Sequence, residues 1–415
     1  MTTKKNMIDI ESLIHAHTDG YSLEQDFYLA PEIFDHDMSQ VLSRRWLLVD
    51  HESRIPSTGD YFLFEVGAES IIIIRDKERQ VNAFFNVCRH RGSRICFDLE
   101  GNRSRLTCPY HAWTYTLEGE LRQPPLMPSN FDKSEFSLHT CHTRVFHGLI
   151  FICLTDDKPP DFDREFGEFS DILDFHGFSQ AKIAVKRDYP NACNWKLVVE
   201  NFVECYHCGP AHKEYCSVHP KDQLLALGAG PGSGPAEALK AYQPTWDAWK
   251  ENAERLGHPL PEFENDEHSL HMSQLSRIPI NDKSFDSETR DGSLGCKKLM
   301  GQFKECDQGE TAIVFNPVSY ILASNDFAMM ARFTPRDVVN TDVQLSWLVH
   351  EDAEAGEDYD PDNIAWLWDT TIIQDKKITE NNHAGVLSSR YQPGRYSTQE
   401  SMVVQFIRWY LNAIS

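Results

Sequence analysis

Long apolar runs are missing from this 415-residue chain; the densest patch, Ile71 to Ile74, is the length of a strand, so no membrane span is expected. Positive charge is also scarce. Lys and Arg number 40 against 63 Asp and Glu, a formal net charge of −23. That balance argues against nucleic-acid binding, which needs a basic face. Most of it is a solvated surface, with at most a mild steering of cationic substrates. The opening stretch MTTKKNMIDIESLIHAHTDG lacks an apolar core of signal-peptide length. A cytoplasmic protein is therefore expected. Its 11 cysteines, an odd number, read as reduced thiols and metal ligands rather than disulfides.

What is present is an ordinary globular composition, 41% hydrophobic, over a length that calls for two or three domains. No internal repeat appears. Residues 1–45 read as an N-terminal helical segment, with Leu42 packing inward beside Trp46 and Leu47 just beyond it. Residues 46–157 read as a small all-β domain with strands at 61–66, 70–75, 81–87, 113–117 and 145–154, rich in aromatic and β-branched residues. The stretch Asp156-Asp157-Lys158-Pro159-Pro160 is a natural boundary. Residues 158–415 form a second domain. It holds a strand near 182–187, one helix over 194–212, a flexible loop at 227–236 and a polar helix to about Leu256. No clear period runs from there to residue 300; strands follow at 311–317, 326–333 and 343–349. A helix is predicted over 360–382, started by the Asp360 cap and Pro361 and stopped by Gly385; a last one covers 400–414. The fold class is α+β.

Two clusters in the β domain each offer one thiolate and one imidazole: Cys88-Arg89-His90 and Cys108-Pro109-Tyr110-His111. Zinc fingers more often take two Cys from one knuckle and two His from a helix. A Rieske [2Fe–2S] centre needs two Cys on one iron and two His on the other, which two hairpin loops of this kind deliver. A Cys₂His₂ zinc site is the alternative. Gly92 would let the first loop wrap tightly. Cys96 lies outside the pattern.

The second constellation starts in NWKLVVENFVECYHCGPAH, residues 194–212. On one helix, Glu204 and His207 share a face, and the Gly209-Pro210 break can return His212 to it. Asp375 falls on the apolar stripe of the 360–382 helix, with Ile364, Trp368, Thr371, Ile372 and Ile378. A carboxylate on that side is costly unless paired or bound to metal. His207, His212 and Asp375 together make the two-His, one-carboxylate set of a mononuclear iron site; a buried salt bridge is the alternative for Asp375. Glu204 reads as a bridge to His207, or as a carboxylate that only orients it. Asn201, one turn earlier, supports it, while Glu200 reads as an ordinary polar residue.

These motifs, with Cys88–Gly92, Cys108–Trp113, Glu200-Asn201…Glu204-Cys205-Tyr206-His207…His212 and Gln374-Asp375…Glu380, resemble the α-subunits of Rieske non-haem iron oxygenases over nearly the whole chain. The resemblance implies an all-β Rieske domain and a helix-grip catalytic domain, an antiparallel sheet with helices. It implies a homotrimer in which electrons cross to a neighbour's Fe(II) through the bridging carboxylate, Glu204 here. It also implies O2 as co-substrate and NAD(P)H electrons arriving through a flavin and iron–sulfur reductase.

Glu at the bridge is similar to the branch acting on quaternary ammonium compounds, as are residues 294–301, 347–350 and 391–394. Glycine betaine monooxygenases and proline betaine (stachydrine) demethylases are of that branch. The activity implied is hydroxylation of an N-methyl group, releasing formaldehyde. One departure stands out: relatives carry Trp-Asn-His where this chain has Ser319-Tyr320-Ile321-Leu322, which implies a different pocket. Tyr206, Tyr320 and Phe327 are candidate faces for a methylammonium through cation–π contact. Hydroxylation or O-demethylation of an aromatic substrate is the competing reading. A bare electron carrier is disfavoured by the long second domain.

Overall fold

The computed structural model describes residues 8–227, 235–261, 272–280 and 285–415. The chain forms two compact units, one of Leu42–Phe162 and one of Met1–Val41 with Asp163–Ser415.

The first unit is built from short antiparallel strands. They are β1 (Leu47–His51), β2 (Asp60–Val66), β3 (Glu69–Arg75), β4 (Val81–Phe85), β5 (Glu100–Asn102), β6 (Leu106–Thr107), β7 (Thr114–Tyr115), β8 (Leu121–Gln123), β9 (His142–Phe146) and β10 (Leu149–Cys153). They pair as β4-β3-β2-β5, β1-β10-β9 and β6-β7-β8. In β3 the run Ile71–Ile74 is fully buried, as a strand covered on both faces should be. The single strand expected over 145–154 is instead the hairpin β9–β10. His147 and Gly148, both at positive φ (48° and 81°), supply the two-residue turn between them. A helix-free strand also appears at β1, within a stretch read only as packing residues.

The second unit is a six-stranded antiparallel sheet, in the order β11 (Ala181–Asn191), β16 (Asn340–His350), β15 (Ala328–Asp337), β14 (Ser319–Ala323), β13 (Gly309–Asn316), β12 (Gln274–Pro279). Strands β12 and β14 had no expectation in the sequence. β14 follows β13 through a tight turn in which the Asn316 side chain accepts from the Val318 N–H at 3.0 Å. The helix Pro361–Val386 lies against β11. Tyr189 Oη donates to Asp369 at 2.6 Å, and Asn191 Nδ2 to Thr379 at 3.0 Å. Its start is the one expected, with the Asp360 side chain accepting from the Asp362 N–H. Its end is not, because it runs through Gly385 to Val386. Of the loop expected at 227–236, residues 228–234 lie outside the described residues. Helix Ala236–Leu256 is as expected; no described helix is long and apolar enough to cross a membrane.

The expected single helix over 194–212 is corrected. It is a helix of Trp195–Phe202, then a break, then one turn at Cys208–Ala211. Asn194 caps the start, its Oδ1 accepting from the Lys196 N–H at 3.1 Å. After Val203 the Glu204 carboxylate accepts from the backbone N–H groups of Tyr206 and His207, a side-chain competitor that ends the helix. The apolar side of the helix is fixed through Asp37. That buried carboxylate takes Lys196, the Trp195 indole N–H (3.1 Å) and the Tyr410 hydroxyl (2.7 Å). Removing one member of such a buried pair costs about 3–5 kcal/mol, so the helix that carries the site is firmly seated.

The break also brings Cys205 and Cys208 together, their Cα atoms 4.9 Å apart, and the structure joins them as a disulfide. This corrects the expectation of thiols throughout, since a turn of this spacing meets the distance a disulfide requires. The remaining described cysteines are free.

Candidate metal centres

In the first unit the two Cys–His loops are built alike. Cys88 N–H donates to Ser93 O (2.8 Å) and Gly92 N–H to Cys88 O (2.9 Å). Cys108 N–H donates to Trp113 O (2.8 Å) and Ala112 N–H to Cys108 O (3.0 Å). Each loop turns back through a residue at positive φ, Gly92 at 76° and Ala112 at 57°. Glycine accepts that conformation without strain, and alanine does so at a small cost.

The two thiols are buried and the two imidazoles reach toward solvent. His90 Nδ1 and His111 Nδ1 stand 3.2 Å apart, with the rings nearly perpendicular. Burial, with Cys108 alongside, pushes the Cys88 thiol up; the Tyr115 hydroxyl works the other way. Partial desolvation and the nearby His90 and Arg91 hold His111 below its ordinary value. Two sulfurs on the inside and two imidazole nitrogens facing each other on the outside fit a cluster with unlike irons.

Around them, Tyr115 Oη accepts from the Arg89 N–H (3.1 Å), which leaves its own proton for Cys88 Sγ at 3.3 Å. Trp113 stacks flat on His90, with centroids 4.8 Å apart. Neither Tyr115 nor Trp113 was given a role from the sequence.

In the second unit His207, His212 and Asp375 meet. His212 Nε2 lies 2.9 Å and His207 Nε2 3.3 Å from Asp375 Oδ1, and the two rings are 4.9 Å apart. Apart from that contact with each other and with His207, His212 Nε2 and Asp375 Oδ1 are buried with no hydrogen-bond partner. Buried polar atoms in native proteins are almost always satisfied, so three ligand atoms aimed at one point fit a metal ion.

The far side of each ring is held. Glu204 Oε1 accepts from His207 Nδ1–H at 2.6 Å, and Gln374 Oε1 from His212 Nδ1–H at 2.7 Å. With each Nδ1 engaged on the far side, both Nε2 atoms turn toward Asp375 Oδ1, the side on which a metal would be held. Gln374 is held in turn by its Nε2, which donates to Glu214 at 2.8 Å. Asn201 Nδ2 sits 3.2 Å from His207 Nε2.

Burial works against charge on His207, but Asp375 and Glu204 outweigh it and push the imidazole up to about 9. Burial likewise works to raise Asp375, and its two histidines outweigh that and hold the carboxyl below the usual range. Both shifts come from the close contacts between the histidines and the carboxylates. The Cys208 sulfur lies with the two histidines but is engaged with Cys205.

A cavity of about 170 Å³ opens beside the triad, walled by Phe202, Tyr215, Tyr320 and Trp368. It is close to a cavity of ~150 Å³ that takes one benzene, so its natural occupant is a small molecule. Tyr320 stands in the wall, with Phe202 against it at 4.6 Å between centroids. Tyr206 is 58% exposed and Phe327 is packed in the core; neither lines the cavity. Glu200 is no ordinary polar residue: its carboxylate accepts from Tyr28 Oη (2.8 Å) and Tyr396 Oη (3.0 Å).

A Cys₂His₂ cluster cradle on one unit and a two-His, one-carboxylate site on the other define a Rieske non-haem iron oxygenase. Family comparison agrees. Residues 45–142 match the Rieske [2Fe-2S] domain and residues 178–415 the ring hydroxylating alpha subunit catalytic domain. The chain belongs to this family of oxidoreductases, with a Rieske cluster and a mononuclear iron as its cofactors.

Among its relatives is the glycine betaine monooxygenase oxygenase subunit of Pseudomonas aeruginosa, 35% identical over 96% of this chain and 90% of that one. The Chromohalobacter salexigens subunit of the same name is 34% identical, over 94% and 85%. The quaternary ammonium Rieske monooxygenase CntA shares the fold, with a TM-score of 0.71 and 20% identity over 98% of both chains.

Proposed function

We propose that this chain is the oxygenase component of a two-component system that hydroxylates an N-methyl group of a quaternary ammonium compound. The observation that carries the reading is the placement of the orphaned His212 Nε2 and Asp375 Oδ1 beside an aromatic-walled cavity. A quaternary ammonium has no N–H to donate, and aromatic faces hold it through cation–π attraction. The names of the glycine betaine and carnitine monooxygenase relatives support the same class.

His207, His212 and Asp375 would hold the iron, which would supply dioxygen activation and oxidation of the methyl C–H. Glu204 keeps the His207 proton on Nδ1, and Gln374 does the same for His212. Phe202, Tyr215, Tyr320 and Trp368 exclude water and orient the methyl. The overall step consumes one O2, two electrons and two protons, giving N–CH2OH and water. The hydroxymethyl ammonium then loses formaldehyde and a proton to leave the tertiary amine.

The electrons come from NAD(P)H through a flavin and iron–sulfur reductase to the cluster loops. In a homotrimer, Glu204 would connect His207 to a neighbour's exposed cluster histidine. Boundaries near 45/46 and 157/158 are proposed for the segment, Rieske and catalytic domains. The test is formaldehyde release by the purified chain with a reductase and NADH over a panel of methylammonium compounds and aromatic ethers. Formaldehyde from the former supports the reading. Turnover of the aromatic compounds alone sinks it.

A further inference from the structure

The cavity holds a second set of polar groups away from the metal triad. Glu310, on β13, is 6% exposed and lines the cavity. No hydrogen-bond donor among the described residues reaches its carboxylate. Glu288 and His219 are beside it, 1% and 2% exposed, and one ligand atom from each of the three lies within 4.8 Å of the others. Glu288 is already satisfied: Oε1 meets His219 Nε2 at 2.8 Å and Oε2 accepts the Trp368 indole N–H at 3.1 Å. Tyr215 lies against His219, at 4.5 Å between centroids, and against Trp368, at 5.5 Å.

Trp368 precedes Asp375 by two helical turns, so the acidic set sits roughly 10 Å along the helix from the metal ligand. Among the described residues lining the cavity there is no Lys or Arg. One wall of a small cavity thus carries a buried carboxyl without a partner, Glu310, with Glu288 next to it outside the lining, and no Lys or Arg among the described lining residues to pair a third.

We propose that Glu310 selects the substrate, accepting a hydrogen bond from an ammonium or hydroxyl group at the end remote from the reacting methyl, so that the enzyme favours quaternary ammonium compounds without a carboxylate. This rests on the quaternary-ammonium reading above and narrows it. Burial, and then the Glu288 carboxylate, push Glu310 well above the usual range; a donor or cation at that wall relieves both. A protonated Glu310 could give a betaine carboxylate one hydrogen bond, but the full negative charge would then lie near the buried Glu288 with no Lys or Arg among the described lining residues to balance it, which is unfavourable. A metal ion is a poorer occupant, because the lone pairs of Glu288 and His219 are already committed to each other and to Trp368.

Three probes share a trimethylammonium head and differ at the other end: (2-aminoethyl)trimethylammonium, choline and glycine betaine. Their dissociation constants are measured by calorimetry on the iron-loaded enzyme and on Glu310→Gln, with formaldehyde assays in parallel. The wild type is expected to bind the first two at least about tenfold more tightly than glycine betaine, and Glu310→Gln to narrow that gap to within about threefold.

Glycine betaine binding as tightly as the others, no binding by any probe, or a gap unmoved in Glu310→Gln overturns the proposal. So does a stoichiometric metal ion that only Glu310→Gln loses. Binding in the expected order without formaldehyde leaves the role of Glu310 standing and removes the demethylation reading. Preferred turnover and binding of glycine betaine does the reverse.

Discussion

Replacing Gln374 by Leu should weaken iron binding without touching any ligand atom. Gln374 accepts the Nδ1 proton of His212, whose ring is 1% exposed at the side chain, across 2.7 Å. Leu removes the acceptor and leaves a buried N–H unsatisfied, a loss of about 1–3 kcal/mol. At about 1.4 kcal/mol per decade, this is roughly a 10–100-fold drop in affinity, the range typical for partners that orient metal-bound histidines. Part of the loss comes from the proton, which becomes free to move to Nε2 and occupy the lone pair meant for the metal. Glu214→Ala is the control. It removes only the outer support of Gln374, at 2.8 Å, and should cost no more than about threefold. The assay is anaerobic titration of iron-depleted protein with Fe(II) against a competing chelator, with cluster absorbance as a check on the first unit. An unchanged affinity in Gln374→Leu, or an equal loss in both variants, refutes the idea that the tautomer is set here.

Asp375→Asn should abolish mononuclear iron and turnover while the cluster spectrum stays intact, read by iron-to-protein ratio and visible absorbance; retained iron would point to another carboxylate. Tyr115→Phe removes the hydroxyl 3.3 Å from Cys88 Sγ. Because a hydrogen bond favours the more negative, reduced cluster, the midpoint potential should fall by on the order of tens of millivolts, measured by redox titration. Glu200 gives a pH dependence. Burial outweighs the Tyr28 and Tyr396 hydroxyls and pushes its carboxyl up from 4.5 to about 7. With the folded pKa above the unfolded one, the native state holds a proton the unfolded chain has lost between those values. Stability is therefore greatest below about 4.5 from this group and declines as pH rises to about 7, by up to ~3 kcal/mol. Glu200→Gln should flatten that slope and raise the urea midpoint at pH 8; an identical slope in both proteins would refute it.

The candidate ligands were legible in the sequence because each carries a constraint that survives without coordinates. Cys and His in paired clusters, or a carboxylate on an apolar helical stripe, have few other uses. The Asp360 cap was legible for the same reason, being a local device. Legibility ended where a side chain competes with the backbone. Nothing in the periodicity of 194–212 says that Glu204 will take the N–H groups of Tyr206 and His207 and stop the helix at Phe202. Yet the pairing of Glu204 with His207, expected from helical spacing, is kept at 2.6 Å by the break itself. Gln374 was quoted within a motif, but its bond to His212 spans 162 positions, beyond the reach of any local pattern. Tyr206 and Phe327 are the converse case. Both are aromatic and near the motifs in sequence, and one points to solvent while the other fills the core.

The acidic wall follows the same logic. Glu310 sits in a strand whose other inward residues, Ala312 and Val314, also face the cavity, so alternation alone would have marked its position for an apolar side chain. Glu288 and His219 come from segments with no shared period. Only the fold brings the three together, and among the described residues lining the cavity it supplies no neutralising arginine or lysine of the kind a structural ion pair normally has. At the other end of the cavity Asp375 is matched by two histidines; at this end the Glu310 carboxyl has no donor among the described residues. A carboxylate kept unpaired inside a cavity destabilises the folded protein unless a ligand completes it. The ligand that does so must bring positive charge or a donor to the wall while presenting a methyl to the metal, and that double requirement, rather than the aromatic lining alone, is what distinguishes one methylated ammonium from another.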